Sequence, residues 1–86
     1  MNTAEMIEKK LRDAFQPAKL EVIDESEAHR GHAGYREGGG THFKVVIAAS
    51  AFNGQGRVQR QRAIHKVLAE ELAGPVHALS LQVEDG

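Results

Sequence analysis

The residues of this chain best suited to chemistry are its five histidines: His29, His32, His42, His65 and His77. Neutral imidazole is a ligand for zinc, copper and nickel alike. Three of the five (His29, His32 and His42) fall in one irregular stretch, Asp24 to His42, DESEAHRGHAGYREGGGTH, which also holds five of the nine glycines. There is no cysteine, so disulfides are excluded, as is any metal site built from the chain's own thiolates. Taken in isolation, His29, His32 and His77 could bind zinc or a related metal. On residue type alone, however, His77 reads first as a histidine buried at a strand start and satisfied by a backbone hydrogen bond, since imidazoles are intermediate in burial. His42 directly precedes Phe43 and reads as a strand-end residue. His65 reads as a packed or surface residue on a helix flank. Asp24, Glu25, Ser26 and the histidines could be arranged as an acid–base set, but no nucleophile motif accompanies them, and an enzyme is not expected. Gly38-Gly39-Gly40 lacks the lysine and Ser/Thr of a P-loop and precedes a strand rather than a helix.

A second chemical feature is cationic. Arg57, Arg60 and Arg62 stand at the start of a long helical segment, followed by Lys66, whereas Glu70 and Glu71 stand at its end. That order opposes the helix dipole, and each misplaced exposed charge costs roughly 0.3–1 kcal/mol at low salt. A solvated face tolerates such a cost. The other reading is an anionic partner at the helix start, either a nucleic acid backbone or an acidic protein face. The net charge of −1 offers no global attraction to nucleic acid, so a local patch would have to supply it. Gly54-Gln55-Gly56 is one residue short of the GxxG clamp of KH domains.

The elements that must position these groups follow from periodicity. Residues 3–15 place Ala4, Ile7, Leu11 and Ala14/Phe15 at helical spacing, with Thr3 as N-cap and Gln16-Pro17 as the stop. Lys19 to Asp24 alternates as a half-buried strand. Phe43 to Ala49 is a second strand, with Phe43, Val45 and Ile47 on one face. Ser50 caps a short turn over Ala51-Phe52, which Asn53-Gly54-Gln55-Gly56 breaks. Arg57 to Ala73 forms the longest helix, with Ile64, Val67, Leu68 and Leu72 inward, and Gly74-Pro75 ends it. Val76 to Val83 is the third strand, with His77, Leu79, Leu81 and Val83 on one face. The order is α-β-β-α-α-β, the middle helix being only a turn. This is an α+β two-layer sandwich, a three-stranded mixed sheet with helices on one face. The first two strands form an oversized hairpin with the long loop at its turn. The second and third pair in parallel through a right-handed crossover.

All 86 residues fit one domain. Its core is small, with no tryptophan and 5% aromatic residues. The opening residues lack the pattern of a secretory leader, and the longest apolar run, Val45 to Ala49, is far too short to span a membrane. The default location is cytoplasmic.

The chain resembles the BolA family nearly end to end. The resemblance is carried by LEVIDES at 20–26, GTHFKVVI at 40–47, Phe52-Asn53-Gly54, the Arg60/Arg62 helix start, LAEEL at 68–72 and VHAL at 76–79. It implies a fold like a class II KH domain, in agreement with the order read from periodicity. It also implies two activities. Members pair with monothiol glutaredoxins in iron–sulfur cluster trafficking and iron homeostasis, and some bacterial members are DNA-binding transcriptional regulators linked to stress, cell shape and biofilm formation. For the second activity the candidate contacts are Arg57, Arg60, Arg62 and Lys66.

For the first activity, the histidine of VHAL, His77, resembles the family's principal cluster ligand. Members place a further histidine or cysteine in the loop. The Gly31-His32-Ala33 context resembles the histidine version, with His29 as the fallback. Two imidazoles are too few for a cluster whose usual ligands are thiolates, so a partner must supply sulfur. A monothiol glutaredoxin with glutathione would complete a shared [2Fe–2S] site that this chain alone does not hold. Imidazole ligands bind deprotonated, so acid should weaken such a site. Alone, the chain is expected to be monomeric or weakly oligomeric. The family's Arg-His-Arg helix start reads Arg60-Gln61-Arg62 here, which removes an imidazole. Many members also carry a further C-terminal tail, where this sequence stops just after the third strand.

Overall fold

The computed structural model describes residues 2–25 and 41–86. Their order is α1 (Thr3–Phe15), β1 (Lys19–Asp24), β2 (His42–Ala49), a 3₁₀ turn (Ser50–Phe52), α2 (Arg57–Val67), α3 (Ala69–Ala73) and β3 (Ala78–Asp85). The sheet order is β1-β2-β3. β1 runs antiparallel to β2 with Val22 opposite Val45, and β3 runs parallel to β2 with Leu81 opposite Val45. The α+β sandwich and its mixed three-stranded sheet are therefore as the periodicity predicts.

Alternation along the central strand builds the core. Phe43, Val45, Ile47 and Ala49 face the helices, where they meet Ile7 and Leu11 of α1 and Ile64 and Leu68 around α2. Leu20, Val22, Leu79, Leu81 and Val83 flank them, partly buried. Phe15 packs on Phe52 with ring centroids 4.8 Å apart. Ala14, placed in the apolar stripe by spacing, faces solvent. Among the described residues no helix is long and apolar enough to cross a membrane.

Several boundaries differ from the sequence reading, each for a visible reason. Asn2, not Thr3, caps α1, its side-chain oxygen accepting from the Glu5 amide at 2.8 Å. Gln16 ends that helix in the left-handed region at φ 47°, ahead of Pro17. No side-chain hydrogen bond caps the turn at Ser50. The long helix is interrupted at Leu68 (φ −99°, ψ 20°), although Leu68 still donates to Ile64 and Leu72 to Leu68, both at 3.0 Å. β3 begins two residues later than alternation suggests. The Val76 amide is taken by the Glu71 carbonyl at 3.0 Å, closing α3, and the Val76 side chain is buried in the core. At its other end β3 continues to Asp85, because β2 offers Ala48 and Ala49 as partners.

One turn depends on glycine. Asn53 (φ −61°, ψ 131°) and Gly54 (φ +78°) form a type II turn closed by the Gln55 amide on the Phe52 carbonyl at 3.1 Å. It aims the chain from β2 into α2.

Candidate functional site

His77 sits just before β3, where β2 begins. Its backbone N–H donates to the Thr41 carbonyl at 2.7 Å, and the following amide, of Ala78, donates to the same oxygen at 3.2 Å. The backbone hydrogen bond expected from residue type is present, but the burial is not, because His77 is exposed. Nor does it share a strand face with Leu79 and Leu81, since the strand starts after it.

The sheet register brings a second imidazole to it. His42 opens β2 in register with Ala78, and the His42 and His77 rings lie 6.4 Å apart, inclined by 26°. His42 is 7% exposed, and its Nδ1 lies 2.8 Å from the hydroxyl of fully buried Thr41. Its carbonyl accepts from the Glu25 amide at 2.8 Å, tying in the end of β1. One imidazole is thus buried and anchored while the other is exposed. Sequence spacing missed this pairing. Its signal was the parallel crossover itself, which sets the starts of β2 and β3 side by side.

His29 and His32 lie outside the described residues, as does Gly38-Gly39-Gly40. His65 is exposed on α2. Among the described residues no group of three or more His, Cys, Asp or Glu converges as a metal site.

The cationic candidates divide. Arg57, Arg62 and Lys66 are exposed, and none has a carboxylate partner among the described residues. Arg60 is committed internally: Nε donates to the Gln55 carbonyl at 2.9 Å, Nη1 lies 3.5 Å from the Val83 carbonyl, and Nη2 pairs with Asp85. Of the four predicted contacts, Arg60 is thus a structural tie between the helix start and the strand end. No acidic residue occurs in α2, so the face stays cationic. The Gln59 side chain accepts from the Gly56 amide at 3.0 Å, satisfying one donor at the helix start. At the other end, Glu71 is buried and its carboxylate meets the Lys10 ammonium at 2.8 Å. That hydrogen bond, with the nearby Glu71 and Glu70 charges, holds the Lys10 pKa above its ordinary value against the opposing effect of burial.

The described elements form a small α+β domain with a mixed three-stranded sheet in the order β1-β2-β3. A sequence model of BolA, described as BolA-like protein, matches residues 11–85. The chain is 49% identical over 81 residues to the DNA-binding transcriptional regulator BolA of Escherichia coli strain K12, covering 94% of this chain and 73% of that one. The BolA domain of SufE1 from Arabidopsis thaliana superposes with a TM-score of 0.85 at 38% identity, covering 95% of this chain and 90% of that one. BolA1 from the same plant gives 0.88 at 32% identity, covering 99% and 93%. The chain belongs to the BolA family. These relatives are named as regulators or BolA proteins, not as enzymes.

Proposed function

We propose that this chain is a non-enzymatic adaptor that binds a monothiol glutaredoxin and shares a bridging [2Fe–2S] cluster with it, serving iron–sulfur trafficking and iron homeostasis. The observation that carries the reading is exposed His77 at the β2/β3 mouth of a cysteine-free chain. His77 would supply one imidazole and His32 the other, with His29 as the alternative donor from the same stretch. The glutaredoxin and glutathione would supply the thiolates. His42 supports His77 from the side, its own ring held at Thr41. Imidazole in place of thiolate lowers the negative charge on such a cluster and raises its reduction potential. A cytoplasmic setting and a monomeric or weakly oligomeric chain accompany this reading.

The test is reconstitution with a monothiol glutaredoxin, iron, sulfide and glutathione, followed by visible spectrum and elution volume. A mixed species should form, and His77→Ala should alter its spectrum, as should His32→Ala or His29→Ala. If no mixed species forms, or if the His77→Ala spectrum equals that of the parent, the proposal fails.

A second reading, a DNA-binding regulator of stress response, morphology and biofilm, is favoured by the carboxylate-free face of α2. Arg57, Arg62 and Lys66 would meet phosphate. Affinity for duplex DNA should then fall as salt rises, and Arg62→Glu should weaken it while reducing the salt slope by about one. Affinity indifferent to both would count against the surface. The two readings use different ends of the domain and are compatible.

A further inference from the structure

β3 is an outer strand of the sheet, and two hydrogen bonds show which of its backbone groups look outward. The Ala78 amide donates to Thr41, next to β2, whereas the Val83 carbonyl faces Arg60 on the other side. The ladder direction alternates along a strand. Ala78, Ser80 and Gln82 therefore bond β2, while Leu79, Leu81 and Val83 turn their N–H and C=O groups outward. Nothing among the described residues pairs with those of Leu79 and Leu81. Proteins usually guard such an edge with charged side chains, lysine above all, or with proline, a bulge or short length. β3 is eight residues long, ALSLQVED, with neither lysine nor proline, and its only charges, Glu84 and Asp85, are its last two residues, Asp85 being paired with Arg60.

Beside this edge runs a groove of about 300 Å³ between the first turns of α2 and β3. Its floor is the half-buried flanks of Leu81 and Val83, and Arg57 and Gln61 stand on its rim. Arg60 closes its end through Gln55 and Asp85. Arg57 is exposed and has no carboxylate partner among the described residues, and Arg62 and Lys66 extend the same sign along the helix.

We propose that the outer edge of β3 takes up an extended acidic segment of a partner protein as a fourth strand. One apolar side chain of that segment rests on Leu81 and Val83, and a neighbouring carboxylate meets Arg57. The main chain supplies affinity and the groove supplies selection, as in strand addition generally. A single-stranded nucleic acid suits the groove less well, because it binds largely by stacking on aromatic rings and none of the described residues lining this site is aromatic. The groove lies toward the other end of β3 from the histidine pair, with Leu81 and Val83 beyond the register position of His42 at Ala78.

The experiment uses the isotopically labelled chain and the acetylated, amidated peptide Glu-Val-Glu-Val-Glu-Val-Glu, with its Lys-Val counterpart as control. At saturation, amide exchange at Leu79 and Leu81 should slow by about tenfold or more, while Ser80 and Gln82, already bonded to β2, stay unchanged. The lysine peptide should bind at least about threefold more weakly, and Arg57→Glu should weaken the acidic peptide by about three- to fivefold. Absence of slowed exchange at Leu79 and Leu81, or equal binding of the two peptides, overturns the proposal. Protection that rises with protein concentration alone would assign the edge to a second copy of this chain. Protection by oligothymidylate but not by peptide would assign it to nucleic acid. Either result overturns the acidic-segment reading.

Discussion

His77 shows how one residue's role depends on what stands next to it. As a lone imidazole before an alternating strand it is ambiguous, and buried packing is the ordinary reading. Exposure and the 6.4 Å spacing to the His42 ring change that reading. His42, weighed in sequence as a strand-end residue, does open β2, but it is also the ring beside His77. Arg60 moves the opposite way, from candidate phosphate contact to internal tie. Glu71 looked like an unfavourable charge at a helix end, yet it is buried against Lys10, sixty-one residues away in sequence. This pair gives a pH prediction. Because the fold raises the Lys10 pKa, its contribution is fully present below the ordinary lysine value of 10.5 and is lost as pH rises through the raised value. Glu71→Gln should therefore melt below the parent at neutral pH, and the gap should narrow above about pH 10.5. Paired melts from about pH 8 to about pH 11 check this, and a gap that stays constant would show that the ammonium is not the partner that matters.

At the scale of elements, helix starts and strand alternation were legible because they are written in adjacent residues. Ends were less so. The third strand's start moved from Val76 to Ala78 because the Val76 amide closes α3, a hydrogen bond that no local pattern announces. The break at Leu68 is equally silent in sequence, where the apolar period runs on through Leu72. The turn after Phe52 is the clearest local success, since Asn53-Gly54 reads as a turn and adopts one. Gly54 takes φ +78°, where a side chain is strained even though a Cβ there would meet nothing within 4 Å. Gly54→Ala should therefore cost about 1–2 kcal/mol by denaturant titration, with no repacking of the core. A loss near zero would mean that the turn relaxes.

For the whole molecule, the small core leaves little reserve. Leu11 is fully buried between α1 and the sheet, in a domain with no tryptophan. Leu11→Ala should cost about 2–5 kcal/mol, out of the roughly 5–15 kcal/mol available to such a domain. It should lower the melting temperature by roughly 4–8 °C for each kcal/mol lost. A loss under about 1 kcal/mol would show that α1 packs loosely. The sequence by itself determined the layer architecture, the strand pairing and the family resemblance, because hydrophobic period, turn residues and motif order are local properties. Only the tertiary structure decided which imidazole stands beside His77, which arginine is already engaged and which edge of the sheet has no partner among the described residues. Those outcomes depend on the register of β2 against β3 and on contacts between residues far apart in the chain, and neither is written in any short stretch of sequence.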